Sequence, residues 1–307
     1  MCFIGETETL RTTLLLFLVL AFAITGCGAG DGADGRLRVA VSVEPHAYLA
    51  ERIGGDRVTV RVLVGPGESP ATYQPSDLQV TEIMRCDLYF RAGVPFERGK
   101  WLPSIRAARN GPLIIDLREG IELRMMDSGH HHEGEAHDPS ERKGNEVRDP
   151  HLWLSPRLLK VQATTLAGAL MAADSEGAEV YRENLAALLA DLDRVTAEVR
   201  EILAPVAGRR VHVFHPAYGY FCGEFNLIQV AIEAEGKEPS DRELTVLLSQ
   251  ARADGVRAIF VQEQITGRAA GAIAASLGVD LVRLDPLARD VTANYVKMAN
   301  KIRSSFP

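Results

Sequence analysis

The order of apolar and polar residues predicts an α/β protein built as two similar α/β lobes with parallel-type sheets. A long rigid linking helix joins the lobes and leaves a cleft between them. Three observations predict this. Runs such as LRVAVSV and VTVRVLV are apolar almost throughout, as strands covered on both faces must be. Helical patterns alternate with such runs, and the alternation occurs twice. Between the two sets lies a long stretch of helical period with no internal Gly or Pro.

In the first lobe, residues 37–177, strands are expected at Arg38–Val43, Arg57–Val64, Asp87–Arg91 and Pro112–Ile115. Helices are expected at Tyr48–Ile53, Asp77–Arg85 and Trp101–Ala108, with Pro66-Gly67 and Asn110-Gly111 as turns. Residues 128–148 are polar and lack apolar periodicity, so a loop is expected there; it carries His130, His131, His132 and His137. Leu158–Ala204 is helical in pattern, with a break at Asp174–Gly177 and a stop at Pro205. Its second part, within the linking segment 178–206, would be about 35 Å long, enough to run as a strut between lobes. In the second lobe, residues 207–307, strands are expected at Arg210–Phe214, Leu227–Ile232, Ala258–Val261 and Leu281–Leu284. Its helices are expected at Ala217–Cys222, Asp241–Ala253, Gly267–Leu277 and Val291–Ile302.

The N-terminus reads as an export signal. Leu14–Ala23 is apolar but short for a membrane span, and it ends at Ile24-Thr25-Gly26-Cys27. Cleavage would remove residues 1–26 and leave Cys27 to carry a lipid. Residues 27–36, rich in Gly, would be a flexible tether. Glu6 and Glu8 stand where a signal should be basic, which points to translation starting near Leu10. An extracytoplasmic protein, lipid-anchored to a bacterial membrane, is expected. The formal charge of −7 and the absence of a basic stripe argue against nucleic acid as a partner. Cys86 and Cys222 fall in different lobes and read as small buried unpaired thiols.

Four side chains capable of binding metal stand where strand-like runs end: His46, His151, His215 and Asp285. In open α/β sheets ligands collect at the carboxyl ends of strands, so residues distant in sequence can converge there. Three imidazoles and one carboxylate would make a closed tetrahedral Zn2+ site, and imidazole favours zinc over manganese. Each residue also has a plain structural reading. His46 and His215 fit a helix start and a strand end, and Asp285 fits a helix cap. Asp149 is placed to orient the His151 ring, while Glu44 and Glu263 are further strand-end carboxylates that could be outer partners or alternative ligands. The His130–His137 loop would capture metal more loosely.

Several separated motifs in order resemble the zinc-uptake solute-binding lipoproteins of bacterial metal ABC importers. They are VSVEPHAYLAERIGGDRVTVRVLVGPGESPATYQPSD, DPHLWLSP after a His-rich loop, VFHPAYGYF, IEAEGKEPS and LDPLA. The resemblance runs from about Arg38 to Ile302. It implies two α/β lobes, a linking helix and one metal in the cleft, with ligand roles for His151, His215 and Asp285. In the stretch GESPATYQP the family often has histidine where this chain has Ala71. His46 is the replacement expected from its place after the first strand. The implied function is a monomeric Zn2+ receptor, not an enzyme, that hands its ion to an ABC importer permease driven by a separate ATPase. This chain carries no P-loop of its own. The alternatives are a manganese or other divalent-metal receptor of the same fold, an adhesin or storage lipoprotein, and a zinc-dependent hydrolase.

Overall fold

The computed structural model describes residues 35–127, 147–233, 241–264 and 268–307. Cys27, His130, His131, His132 and His137 lie outside the described residues, as do the expected signal and the expected tether up to residue 34. Among the described residues no helix is long and apolar enough to cross a membrane.

The first lobe runs β1 (Leu37–Val43), α1 (Glu44–Gly54), β2 (Val58–Val64), α2 (Asp77–Met84), β3 (Leu88–Arg91), α3 (Trp101–Ala107) and β4 (Leu113–Asp116). Helices α4 (Pro156–Ala173) and α5 (Ala178–Leu203) follow. The second lobe runs β5 (Arg210–Val213), α6 (Gly219–Glu224), β6 (Ile228–Ala231), α7 (Asp241–Ala253), β7 (Ala258–Gln262), α8 (Arg268–Leu277), β8 (Asp280–Leu284) and α9 (Val291–Ser304). Both sheets are parallel, ordered β2-β1-β3-β4 and β6-β5-β7-β8. The chain therefore reverses direction across each sheet at the same place, between β1 and β3 and between β5 and β7. Crevices open there, beyond the carboxyl ends of the strands.

β1 is buried from Val39 to Val43, as the two-faced cover of a central parallel strand requires. Its one polar residue, Ser42, is satisfied by Tyr89 (2.9 Å) and by donating to Glu97 (2.6 Å). The buried Glu97 carboxylate also accepts the amides of Ala92 and Gly93, both at 2.8 Å, and Arg91 Nε at 3.0 Å. This charge-assisted cluster fixes the loop that leaves β3. Gly93 has φ +84, and a side chain there would collide with that of Arg118, so the turn demands glycine.

α1 starts four residues earlier than its apolar pattern suggests, directly after β1. Pro45 sits in the first helical turn, where its fixed φ suits a helix and its missing N–H costs nothing. His46, expected at the tip of the first strand, is therefore carried on this helix. In the helix, His46 shares one face with Leu49, Ala50 and Ile53, and all four are fully buried.

α5 buries Tyr181, Leu188, Leu192, Val195, Val199 and Leu203, a stripe at three- and four-residue spacing. This stripe belongs to a core that contains Val41, Leu49 and Phe90 of the first lobe and Val213, Phe260 and Tyr295 of the second. Helix α9 of the second lobe packs on α5, as do α1 and α4 of the first. Interlobe hydrogen bonds reinforce the union: Trp153 Nε1 donates to the Pro286 carbonyl at 2.7 Å, and the hydroxyls of Tyr48 and Thr292 lie 3.0 Å apart. Cys86 and Cys222 are buried free thiols, the latter pushed by burial to a pKa of about 12.

Leu192 is fully enclosed where the shared stripe runs. Leu192→Ala is expected to cost about 2–5 kcal/mol through the cavity it leaves. Urea unfolding followed by fluorescence and by circular dichroism should give coincident transitions for the variant, because the two lobes share one core.

Candidate metal centre

A cavity of about 260 Å³ opens between the lobes at the carboxyl ends of both sheets. The loop after β2 supplies Pro70 and Ala71, the loop after β3 supplies Val94 and Arg98, and the segment before α4 supplies His151. From the second lobe come His215 after β5, Gln262 and Gln264 at the end of β7, and Leu287 after β8.

His151 and His215 meet here, with ring centroids 5.5 Å apart and ring planes near perpendicular at 79°. Each ring has its Nδ1 turned to a carboxylate. Asp149 Oδ1 lies 2.8 Å from His151 Nδ1 and also accepts the His151 amide at 3.0 Å. Asp149 is itself 1% exposed and is tied to Tyr220, whose hydroxyl donates to its carbonyl at 3.1 Å. His215 Nδ1 pairs with Glu233 Oε1. The parallel register explains the second pair. Val213 stands opposite Ala231, and the pairing continues through Ile232 N to Val213 O and Glu233 N to Phe214 O, both 2.9 Å. Two residues further on, His215 is level with Glu233.

A carboxylate on Nδ1 holds that nitrogen as N–H, which leaves the Nε2 lone pair of each ring to bind a cation. The two carboxylates also give the site two negative charges behind neutral donors, an environment suited to a divalent ion.

The remaining candidates occupy other positions. Asp285 follows β8; its Oδ1 accepts Gln264 Nε2 and the Leu287 amide, both at 2.9 Å. Among the described residues no three His, Cys, Asp or Glu side chains form a group able to hold one ion. Glu44 pairs with Arg289 and bridges the lobes away from the cavity. Glu263 is exposed and is not part of the cavity wall. His46 does not join the pair. It lies in the core with its ring 5.6 Å from Trp153, and neither nitrogen has a hydrogen-bond partner among the described residues. Burial lowers its pKa to about 4, with a smaller opposing pull from Gln162.

A family model for the zinc-uptake complex component A, periplasmic, matches residues 39–305. The chain belongs to this ZnuA family. It is 30% identical over 287 residues to a Chlamydia muridarum protein named as metal-binding, covering 93% of this chain and 97% of that one. To the zinc-binding lipoprotein AdcA of Streptococcus pneumoniae it is 25% identical over 95% of its own length and 59% of the relative's. A solved ZnuA structure superposes with a TM-score of 0.79 at 38% identity, covering 88% of this chain and 99% of that chain. The two-lobe architecture and the long helix are thus those of a metal-binding solute-binding protein. Family members are receptors and not enzymes, which sets the hydrolase alternative aside.

Glu233 escaped the sequence reading. Its signal was present, because IEAEGKEPS follows the strand that neighbours the one ending at His215. A carboxylate at the tip of an adjacent parallel strand is well placed to meet that histidine.

If the imidazole pair binds a divalent metal, replacing either supporting carboxylate, Asp149→Asn or Glu233→Gln, is expected to lower that affinity by about 10–100-fold while the fold is kept. Competition titration against a zinc-sensitive dye measures it. A second expectation concerns His46. With its pKa at about 4 in the native state and 6.5 ordinarily, the unfolded chain takes up a proton between these values and the native chain does not. Stability is therefore complete above pH 6.5 and falls by about 3 kcal/mol as pH drops towards 4. Urea unfolding across this range should show His46→Leu lacking that part of the slope, with zinc affinity at neutral pH unchanged.

Proposed function

We propose that the protein is an extracytoplasmic receptor that captures Zn2+ in the interlobe cavity and delivers it to the permease of an ABC importer. The observation that carries this reading is the His151–His215 pair, each ring backed by a carboxylate at the mouth of a switch-point crevice. Neutral imidazole donors suit zinc, whereas manganese favours a site richer in carboxylate oxygen. Asp285 is the nearest further candidate donor by topology: Gln264 and Leu287, which hold its Oδ1, both line the cavity.

Delivery fits the same architecture. A passive carrier needs a cargo that enters and leaves without chemistry, and zinc has no redox states to manage. The energy for transport would come from an ATPase on another chain. Lipidation at Cys27 would keep the receptor at the membrane that holds its permease, with residues 27–36 as the tether. The histidines at 130, 131, 132 and 137 would raise the local zinc concentration.

Elemental analysis of gently purified protein should find about one zinc per chain and little manganese. His215→Ala and His151→Ala should each weaken zinc binding by at least about tenfold, roughly the loss of one metal–donor contact. A chain that carries no divalent metal as isolated, and takes up none on titration, would end this reading.

A further inference from the structure

The second lobe carries a cluster of charge that the metal centre does not use. It lines a cavity of about 200 Å³ at the amino end of the second sheet, where β5 and β7 begin. Arg209 and Arg210 stand at the start of β5, Asp254 and Arg257 lie between α7 and β7, and Phe306 belongs to the C-terminal segment. The length of β5, about 10 Å, and the turn to His215 separate this cavity from the metal centre.

Three arginines share the wall with a single carboxylate, and that carboxylate is already engaged. Asp254 Oδ1 accepts Gln250 Nε2 at 2.9 Å, while its Oδ2 lies 3.2 Å from His212 Nε2 and 3.3 Å from Arg210 Nε. The Arg210 pairing is ionic only: its Nε is buried without a hydrogen-bond partner among the described residues. Arg209 holds its Cζ 5.1 Å from the centre of the Phe306 ring, and its N–H groups have no partner among the described residues. Arg257 is exposed and makes no hydrogen bond or ion pair with another described residue. Three positive charges against one negative leave a surplus of two, in a chain whose formal charge is −7. The surplus is therefore local, and like charges gathered at one cavity repel unless an anion comes between them.

We propose that this cavity binds the phosphate group of a phosphomonoester. A guanidinium fork matches phosphate oxygens two at a time. A phosphomonoester is close to a dianion at neutral pH and cancels the surplus, where a carboxylate would cancel half of it. The Phe306 ring offers apolar surface to the carbon beyond the ester oxygen. Two sources carry this chemistry, a small soluble ester and the headgroup of an anionic lipid such as phosphatidic acid. The site stands apart from the zinc-receptor reading and does not rest on it.

The full chain is titrated at low ionic strength with phenyl phosphate, with benzoate and with chloride, while amide resonances of residues 208–210 and 256–258 are followed. The expected result is saturable shifts confined to these two segments, with phenyl phosphate bound at least about tenfold more tightly than benzoate. Arg257→Ala should weaken binding about tenfold, the scale of one charge-assisted contact. Arg257→Lys keeps the charge without the fork and should recover only part of that loss. Circular dichroism should be unchanged in both. Sedimentation with phosphatidylcholine vesicles, with and without phosphatidic acid, separates the sources. Capture by phosphatidic acid that Arg257→Ala abolishes assigns the lipid headgroup, and phenyl phosphate binding without capture assigns a soluble ester. No saturable shift, equal affinity for benzoate or chloride, or binding that Arg257→Ala leaves intact would overturn the proposal.

Discussion

Burial of one face of α5 in a core common to both lobes is the constraint on which the site depends. A stripe from Tyr181 to Leu203 is buried in that core, and α1, α4 and α9 all pack on α5. Opening the cleft widely would pull apolar side chains out of that core, at roughly 25 cal/mol for each Å² exposed. The lobes are therefore held at a set separation, and the carboxyl ends of two sheets face one crevice. Trp153 extends the constraint to the site itself. Its indole N–H reaches Pro286 across the interface, and its ring lies between His46 in the core and His151 at the cavity.

Within that frame each imidazole is oriented by local rules. Asp149 stands two residues before His151 and takes both the backbone and ring N–H of that residue. Glu233 reaches His215 through strand register. One pair is made along the chain and the other across a sheet, yet the outcome is the same tautomer in both rings. Such pairing raises the basicity of the free nitrogen and removes the ring-flip freedom that a binding ion would otherwise have to freeze. The two imidazoles are thus held in place by the fold itself.

Much of the fold was legible because both lobes follow regular alternation. Every strand and helix expected from periodicity has a counterpart, with ends shifted by a few residues. The largest shift was at α1, which begins at Glu44 with Pro45 in its first turn, four residues before the expected start at Tyr48. The buried face at His46, Leu49, Ala50 and Ile53 carried the helical period that identifies the true start. His46 also shows why a histidine at a strand end is ambiguous. Position in sequence gives its distance from the strand tip, while the direction of its side chain depends on which element begins there. His151 and His215 came together because proline and a short turn end their segments at the crevice. Glu233 was harder to see, since pairing across a parallel sheet needs the strand order, and strand order is a tertiary property.

Ala71 bears on how this chain differs from its resemblance. The loop after β2 still reaches the cavity, and its backbone is anchored by the Phe96 amide donating to the Pro70 carbonyl at 3.4 Å. The scaffold that would present a donor is present, and the donor is not. A methyl group at such a place leaves space and apolar surface where coordination would otherwise be.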